Sequence, residues 1–224
     1  MSVLPTVPNS PSNSATYSPS HSTTYPALYT APTKPSYASL RKKYAQNKPK
    51  RNDSRVIRSS VDHLLNMSIL PQRGGVIPYT INNNQIYFCF GIDTKSGQLT
   101  DFGGGIAYSK DNNAVSGALR EFREETLCSF GDTTLNDIHY CPVIYDRFNL
   151  VIFLYCIVDH KDIINKFDDK VLSFSSKTSK KQPEISNIVW CSTDEYKTII
   201  DKKGVMYDRL RRFLRRAGNI GAFL

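Results

Sequence analysis

Apolar positions along this chain recur with two periods, one suited to strands and one to helices. Arg73–Ile81 reads as a strand, with Pro78 placing it at an edge or a bulge. Asn82, Asn83 and Asn84 turn the chain, and Gln85–Gly91 returns as a second strand. Gln98–Phe102 is a short third. Asp137–Asp146 and Phe148–Val158 read as a pair. The latter carries Leu150, Val151, Ile152, Phe153 and Leu154 in succession, so it is apolar on both faces and predicts a central strand. Ile185–Trp190 is another strand. Helical spacing predicts a short helix at Val61–Ile69 before Pro71 and a longer one from Ala114 to Phe130. A further helix runs over Asp194–Asp201, capped by Ser192 or Thr193. The last, Tyr207–Ala217, has Leu210, Phe213 and Leu214 on one side. His160–Lys181 is polar and lysine-rich and reads as a long excursion between elements. Strands interleaved with helices point to an α/β fold. No internal repeat is present.

The segment Gly103–Cys128 concentrates the chemistry. Three glycines, Gly103, Gly104 and Gly105, close a strand; a polar loop leads into the Ala114–Phe130 helix. On that helix Val115, Ala118, Leu119 and Phe122 form an apolar stripe. Glu121, Glu124 and Glu125 fall within an arc of about 100° on a neighbouring face. Carboxylates so crowded repel one another unless a cation sits among them. Oxygen ligands suit a hard ion, Mg²⁺ or Mn²⁺, which commonly bridges protein carboxylates to substrate phosphates. Glycines beside them let backbone amides and carbonyls approach a ligand closely.

Composition divides the chain. Residues 1–60 are rich in Ser, Pro, Thr, Asn and Tyr and cannot bury enough apolar surface to offset their ordering entropy. They read as a disordered tail with at most a short helix near Ser39–Gln46, and residues 61–224 as the folded domain. The chain carries a net charge of +9. Nine lysines and arginines between Lys34 and Arg58 stand against Asp53 alone, which puts about +8 in the tail. Such an arm, with Tyr37 and Tyr44 among its charges, suits a phosphate backbone. The opening residues match neither a secretory signal nor an arginine-rich presequence. No stretch approaches the roughly 20 apolar residues of a membrane span. Five cysteines without paired spacing read as buried free thiols of a reducing, cytoplasmic compartment. His139 and His160 are scattered and read as surface or structural residues.

Arg120, Glu121, Phe122, Arg123, Glu124 and Glu125 after a strand and triple glycine resemble the core of the Nudix hydrolase box, Arg-Glu-apolar-any-Glu-Glu. The resemblance implies a mixed sheet sandwiched between helices and a metal-dependent hydrolase of diphosphate linkages. It implies Glu121, Glu124 and Glu125 as metal ligands, with a carbonyl of Gly103 or Gly104 completing the shell and Arg120 holding a carboxylate in place. Three features depart from the family. Its earlier glutamate is Asn112 here, which implies altered metal affinity or number. The preceding loop is two residues longer. The glycine after the paired glutamates is Leu127, followed by Cys128 in the apolar position.

The general base is open among Glu121, Glu124, Glu184, Asp168 and Asp169; Glu184 stands just before a strand, where similar proteins often carry a glutamate. The basic arm, with Arg211, Arg212 and Arg215 on the last helix as substrate-binding residues, favours a large polyanion. The layout resembles decapping Nudix enzymes of eukaryotes and large DNA viruses, and so implies a capped RNA. A small diphosphate, such as an inositol pyrophosphate or a nucleoside diphosphate derivative, is the alternative; a non-catalytic RNA-binding member is a third.

Overall fold

Side chains alternate between the two faces of a β-strand, and here both faces are covered. The computed structural model describes residues 56–66, 70–146, 149–158, 160–177 and 182–224. The predicted tail disorder and the helix near Ser39–Gln46 therefore lie outside the described residues, apart from 56–60. The elements run in the order β1 (Ile57–Ser59), α1 (Val61–Asn66), β2 (Arg73–Asn82), β3 (Gln85–Asp93), β4 (Leu99–Thr100) and β5 (Phe102–Gly105). Then come α2 (Ala114–Glu125), α3 (Leu135–His139), β6 (Val143–Tyr145), β7 (Leu150–Cys156), α4 (Ile163–Lys177), β8 (Ile185–Ser192), α5 (Thr193–Asp201) and α6 (Asp208–Ala217). A 3₁₀ turn, Ile220–Phe223, follows.

The strands form one mixed sheet in the order β1-β6-β7-β2-β3-β4, with β5 also on β2 and β8 also on β3. The pairing of β2 with β7 is parallel and the rest are antiparallel. One face buries Val76, Cys89, Val151 and Phe153 under α1, α2, α3 and α4. The other buries Ile77, Phe88, Phe90, Ile152 and Leu154 under α5 and α6. This is the sheet between helices that the resemblance implies. Among the described residues no helix is long and apolar enough to cross a membrane.

Several expectations are corrected. β2 is central, not an edge: β7 lines one side from Arg73 to Tyr79, while β5 serves the other side through Val76 and β3 from Tyr79. Pro78 stands in the interval between those two partners, where a residue lacking an N–H is tolerated. The expected strand from Asp137 begins instead as α3, because Thr134 and Asp137 form a reciprocal capping box; only Val143–Tyr145 is extended. The expected excursion is the helix α4, since Ile163, Phe167 and Val171 recur at helical spacing and pack on the sheet. The fold also starts earlier than residue 61: β1 pairs with β6, and the Arg58 guanidinium lies 3.3 Å from the centre of the Phe223 ring. Of the five free cysteines, Cys128 and Cys156 are exposed and Cys89, Cys141 and Cys191 are buried.

Candidate active site

The site begins where two pairs of glycines face each other across β2 and β5, Gly74 opposite Gly104 and Gly75 opposite Gly103. A Cβ on Gly103 would fall 2.3 Å from the Gly75 Cα, and one on Gly104 would fall 2.3 Å from the Glu121 carboxyl carbon. Bare backbone here lets α2 descend until its carboxylates touch the strand. Asn113 starts that helix by accepting the Ser116 N–H at 2.9 Å. Ala114, Val115, Ala118, Leu119 and Phe122 are its buried stripe, as the spacing predicts.

That burial fixes the three glutamates. Glu125 reaches inward and accepts the Gly103 N–H at 2.7 Å. Its carboxyl is pushed up to about 9, chiefly by burial and then by the nearby Asp101 charge; the Gly103 N–H and Arg73 oppose this, and Glu121 adds to it. Glu121 accepts from Arg120 Nη1 at 2.7 Å. Glu124 is exposed, 3.4 Å from the same nitrogen. Arg120 thus holds a carboxylate in place, and it has a further partner that the sequence pattern missed. Its Nε and Nη2 grip both oxygens of Asp111, at 3.1 and 2.9 Å, while Nη2 also reaches the Gly105 carbonyl at 3.0 Å. Asp111 is only 5 % exposed and accepts the Ala107 N–H at 2.8 Å. These bonds, Arg120 first, hold its carboxyl below the usual range and keep the Arg120 guanidinium protonated. Asp111 stands one residue before Asn112 in the lengthened loop, a carboxylate partner for Arg120 that the box pattern does not name.

The box ends in an unusual turn. Leu127 (φ 51°) and Cys128 (φ 56°) both adopt the left-handed conformation, although neither is glycine. The backbone at Leu127 therefore has the geometry that the family's glycine adopts freely, and the helix ends at Glu125 instead of continuing to Phe130. Left-handed residues cost about 1–2 kcal/mol each. The Cys128 N–H donation to the Arg123 carbonyl at 3.0 Å helps to hold the turn.

Beside this turn lies a cleft of about 670 Å³. Glu121, Glu124 and Glu125 line one wall with Leu127 and Cys128; Lys170 and Phe174 come from α4; Gln182, Pro183 and Glu184 lead into β8. The structure thus brings Glu184 to the three box glutamates across about 60 residues of chain. Lys170 donates to the Cys128 carbonyl at 2.7 Å. Asp168 and Asp169, on the same helix, are exposed and do not line the cleft. Neither does His139, which meets Asp62 at 3.1 Å, nor His160, which packs edge-on against Trp190.

The arginines of α6 stand elsewhere. Leu210, Phe213 and Leu214 bury that helix against the sheet face opposite α2. The Arg211 side chain is 5 % exposed and donates to Asp208 at 2.8 Å and to the Ile200 carbonyl at 3.4 Å. Arg212 pairs with Asp208 and Arg215 with Asp201, at 3.1 and 3.4 Å. Of the three arginines expected to bind substrate, Arg211 packs the helix, and none lines the cleft.

Among the described residues no three acidic, imidazole or thiol groups converge as a ready-made metal cage. The donors nevertheless fit a hard cation. They are oxygens only, and the burial and neighbouring acids that hold a proton on Glu125 would be offset by a bound divalent ion.

No family model matches the sequence, and no curated protein matches it. Solved structures do resemble it. An Ap4A hydrolase of C. elegans in a binary complex superposes with a TM-score of 0.43 at 17 % identity, over 69 % of this chain and 100 % of that one. The NUDIX domain of Shewanella oneidensis NrtR complexed with ADP ribose gives 0.37 at 12 % identity, over 79 % and 95 %. A MutT/nudix family protein of Enterococcus faecalis gives 0.34 at 12 % identity, over 70 % and 51 %. The architecture described above, a mixed sheet between helices with a glycine-rich strand, a loop and a glutamate-bearing helix, is the one that the resemblance implies.

Proposed function

We propose that this chain is a divalent-metal-dependent hydrolase of a diphosphate linkage, acting in the cleft bounded by α2, α4 and the start of β8. The observation that carries this reading is the meeting of Glu121, Glu124 and Glu125 with Glu184 on one cleft. Mg²⁺ or Mn²⁺ would be held by Glu121, Glu124 and Glu125 with a carbonyl of Gly103 or Gly104. When bound, such an ion neutralises phosphate oxygens and lowers the pKa of water. The chain's own groups do the rest. Arg120 orients the Glu121 carboxylate, and the Gly103 amide fixes Glu125. Glu184, on the segment entering β8, takes the proton of the attacking water. Lys170 offers its ammonium to the substrate's phosphates.

A capped RNA is the substrate class favoured by the basic residues from Lys34 to Arg58. The five free thiols suit a reducing, cytoplasmic setting. A small diphosphate is the second reading, favoured by the place of α6: its arginines lie on the sheet face away from the cleft. A purely binding role is opposed by the retention of all three box glutamates.

The test is phosphate release with Mg²⁺ or Mn²⁺ from a long capped RNA, a cap dinucleotide, an inositol pyrophosphate and a nucleotide panel. Glu124→Gln and Glu125→Gln should each lower turnover by about 100-fold or more with the fold intact. Metal-independent turnover, or a Glu125→Gln variant at near-normal rate, sinks the mechanism. Equal rates on the dinucleotide and the long RNA at low salt sink the RNA reading alone.

A further inference from the structure

Behind the glycine strand lies an ion pair that takes no part in the box pattern. Asp101 is 0 % exposed and Arg73 is nearly covered. Arg73 Nη1 donates to Asp101 Oδ2 at 2.5 Å, and Thr100 Oγ1 lies 3.3 Å from Asp101 Oδ1. The other arm of the same guanidinium, Nη2, donates to the Gly103 carbonyl at 2.7 Å. Gly103 is therefore gripped on both sides of its Cα, the carbonyl of its peptide with Gly104 by Arg73 and the N–H of its peptide with Phe102 by Glu125. The chain has made room for this arrangement. A Cβ on Gly75 would fall 1.8 Å from Asp101 Oδ2, so only glycine at 75 lets that carboxylate lie against β2.

A buried pair of this kind is a poor source of net stability. Desolvation offsets most of the attraction, and an apolar replacement of both partners is often neutral. What it supplies is direction. A guanidinium is a planar fork with fixed donor geometry, and with one arm on a buried carboxylate its other arm has little freedom. The carbonyl it holds is then fixed, and the two soft dihedrals of Gly103 that join it to the preceding amide are restrained.

We propose that Arg73 and Asp101 are positioning residues for the candidate active site, restraining the Gly103 backbone so that its N–H aims the Glu125 carboxylate into the cleft. The inference rests on the hydrolase reading for its consequence, metal binding, but not for the loop geometry itself. It also separates the two candidate backbone ligands. A cation approaching the Gly103 carbonyl meets the positive charge of Arg73, whereas none of the described bonds puts a guanidinium on the Gly104 carbonyl.

The experiment compares the full chain with Arg73→Lys, Arg73→Met and the neutral double variant Arg73→Met/Asp101→Asn. The double variant leaves no unpaired buried charge, so it guards against simple misfolding of the single variant. Two readouts are taken: hydrogen exchange at the Gly103 amide, and Mn²⁺ affinity by titration without substrate. The double variant should lose at least tenfold in Gly103 protection while core amides of β7 keep theirs, and should bind Mn²⁺ at least tenfold more weakly. Lysine, which has one point donor in place of a fork, should fail to restore either. Unchanged Gly103 protection overturns the proposal whatever the protein hydrolyses. So does lost protection with unchanged Mn²⁺ affinity. If the wild-type chain takes up no Mn²⁺ and cleaves no diphosphate, the hydrolase reading falls, and exchange at Gly103 alone decides whether the pair sets the loop.

Discussion

The Glu121 carboxylate lies directly on Gly104: a Cβ built on that glycine would sit 2.3 Å from both the Glu121 Cδ and its Oε2. Helix and strand are therefore in register at the level of single atoms, and the contact admits no side chain. Gly104→Ala should push Glu121 out of place with little effect on the rest of the sheet. A displacement near 1 Å costs about 100-fold in rate. Turnover with saturating Mn²⁺, measured beside circular dichroism, checks this; a folded Gly104→Ala chain with normal turnover would show that Glu121 is not needed where it stands.

Glu125 predicts a pH dependence of stability with a definite sign. Its carboxyl is raised from 4.5 to about 9 in the folded chain, mainly by burial. Between those values the folded state keeps a proton that the unfolded state has lost. Its contribution therefore diminishes as pH rises, by at most about 1.4 kcal/mol per pH unit. Denaturant melts of the metal-free protein from pH 5 to 9 should slope downward. Glu125→Gln should flatten that slope, and saturating Mn²⁺ should flatten it too, because the carboxylate is then ionised in the folded as in the unfolded state.

Asp111 predicts a loss at a position outside the box pattern. Asp111→Ala removes both oxygens from Arg120 and leaves the Ala107 N–H without its acceptor. The expected cost is about 1–3 kcal/mol by urea unfolding. Turnover should fall further than the lost stability explains, because Arg120 also steadies Glu121. Asp111→Glu, which keeps the charge, should recover part of both.

The last helix predicts a contrast between neighbours. Arg211→Ala should destabilise by about 2–3 kcal/mol, since its buried side chain packs α6 and bonds Asp208. Arg212→Glu and Arg215→Glu, on exposed positions, should stay within about 0.5 kcal/mol of wild type. Neither reversal should change hydrolysis of a small diphosphate, because neither residue lines the cleft.

The elements legible in the sequence were those whose burial has a clean period. The stripe from Val115 to Phe122, the run from Leu150 to Leu154 and the Ser192 cap all appear where expected. Asn83 and Asn84 both take positive φ in the turn between β2 and β3. Less visible were elements with mixed signals. The apolar anchors of α4, Ile163, Phe167 and Val171, are spaced by four but diluted by lysines and aspartates. The buried ion pairs were not readable at all. Nothing local tells that Arg73 will find Asp101, or that Arg120 will find Asp111 across a loop. The arginines of α6 misled in a different way. Charge on a helix gives no information about which layer of a sandwich that helix joins; the apolar residues between them decide it.

The parallel pairing of β2 with β7 has a consequence for synthesis. Arg73 lies opposite Leu150 and Tyr79 opposite Cys156, 77 positions further along in each case. At about 5–20 residues per second, roughly 4–15 s pass between the emergence of one strand and the other. In the last part of that interval the glycine strand and the acidic helix are already made, but the central strand that should carry them has one side unpaired. Long-range parallel contacts of this kind form late. The carboxylates are thus brought together after the second half of the domain has arrived, and a nascent chain that stops before β7 carries every residue of the box without the sheet that aligns them.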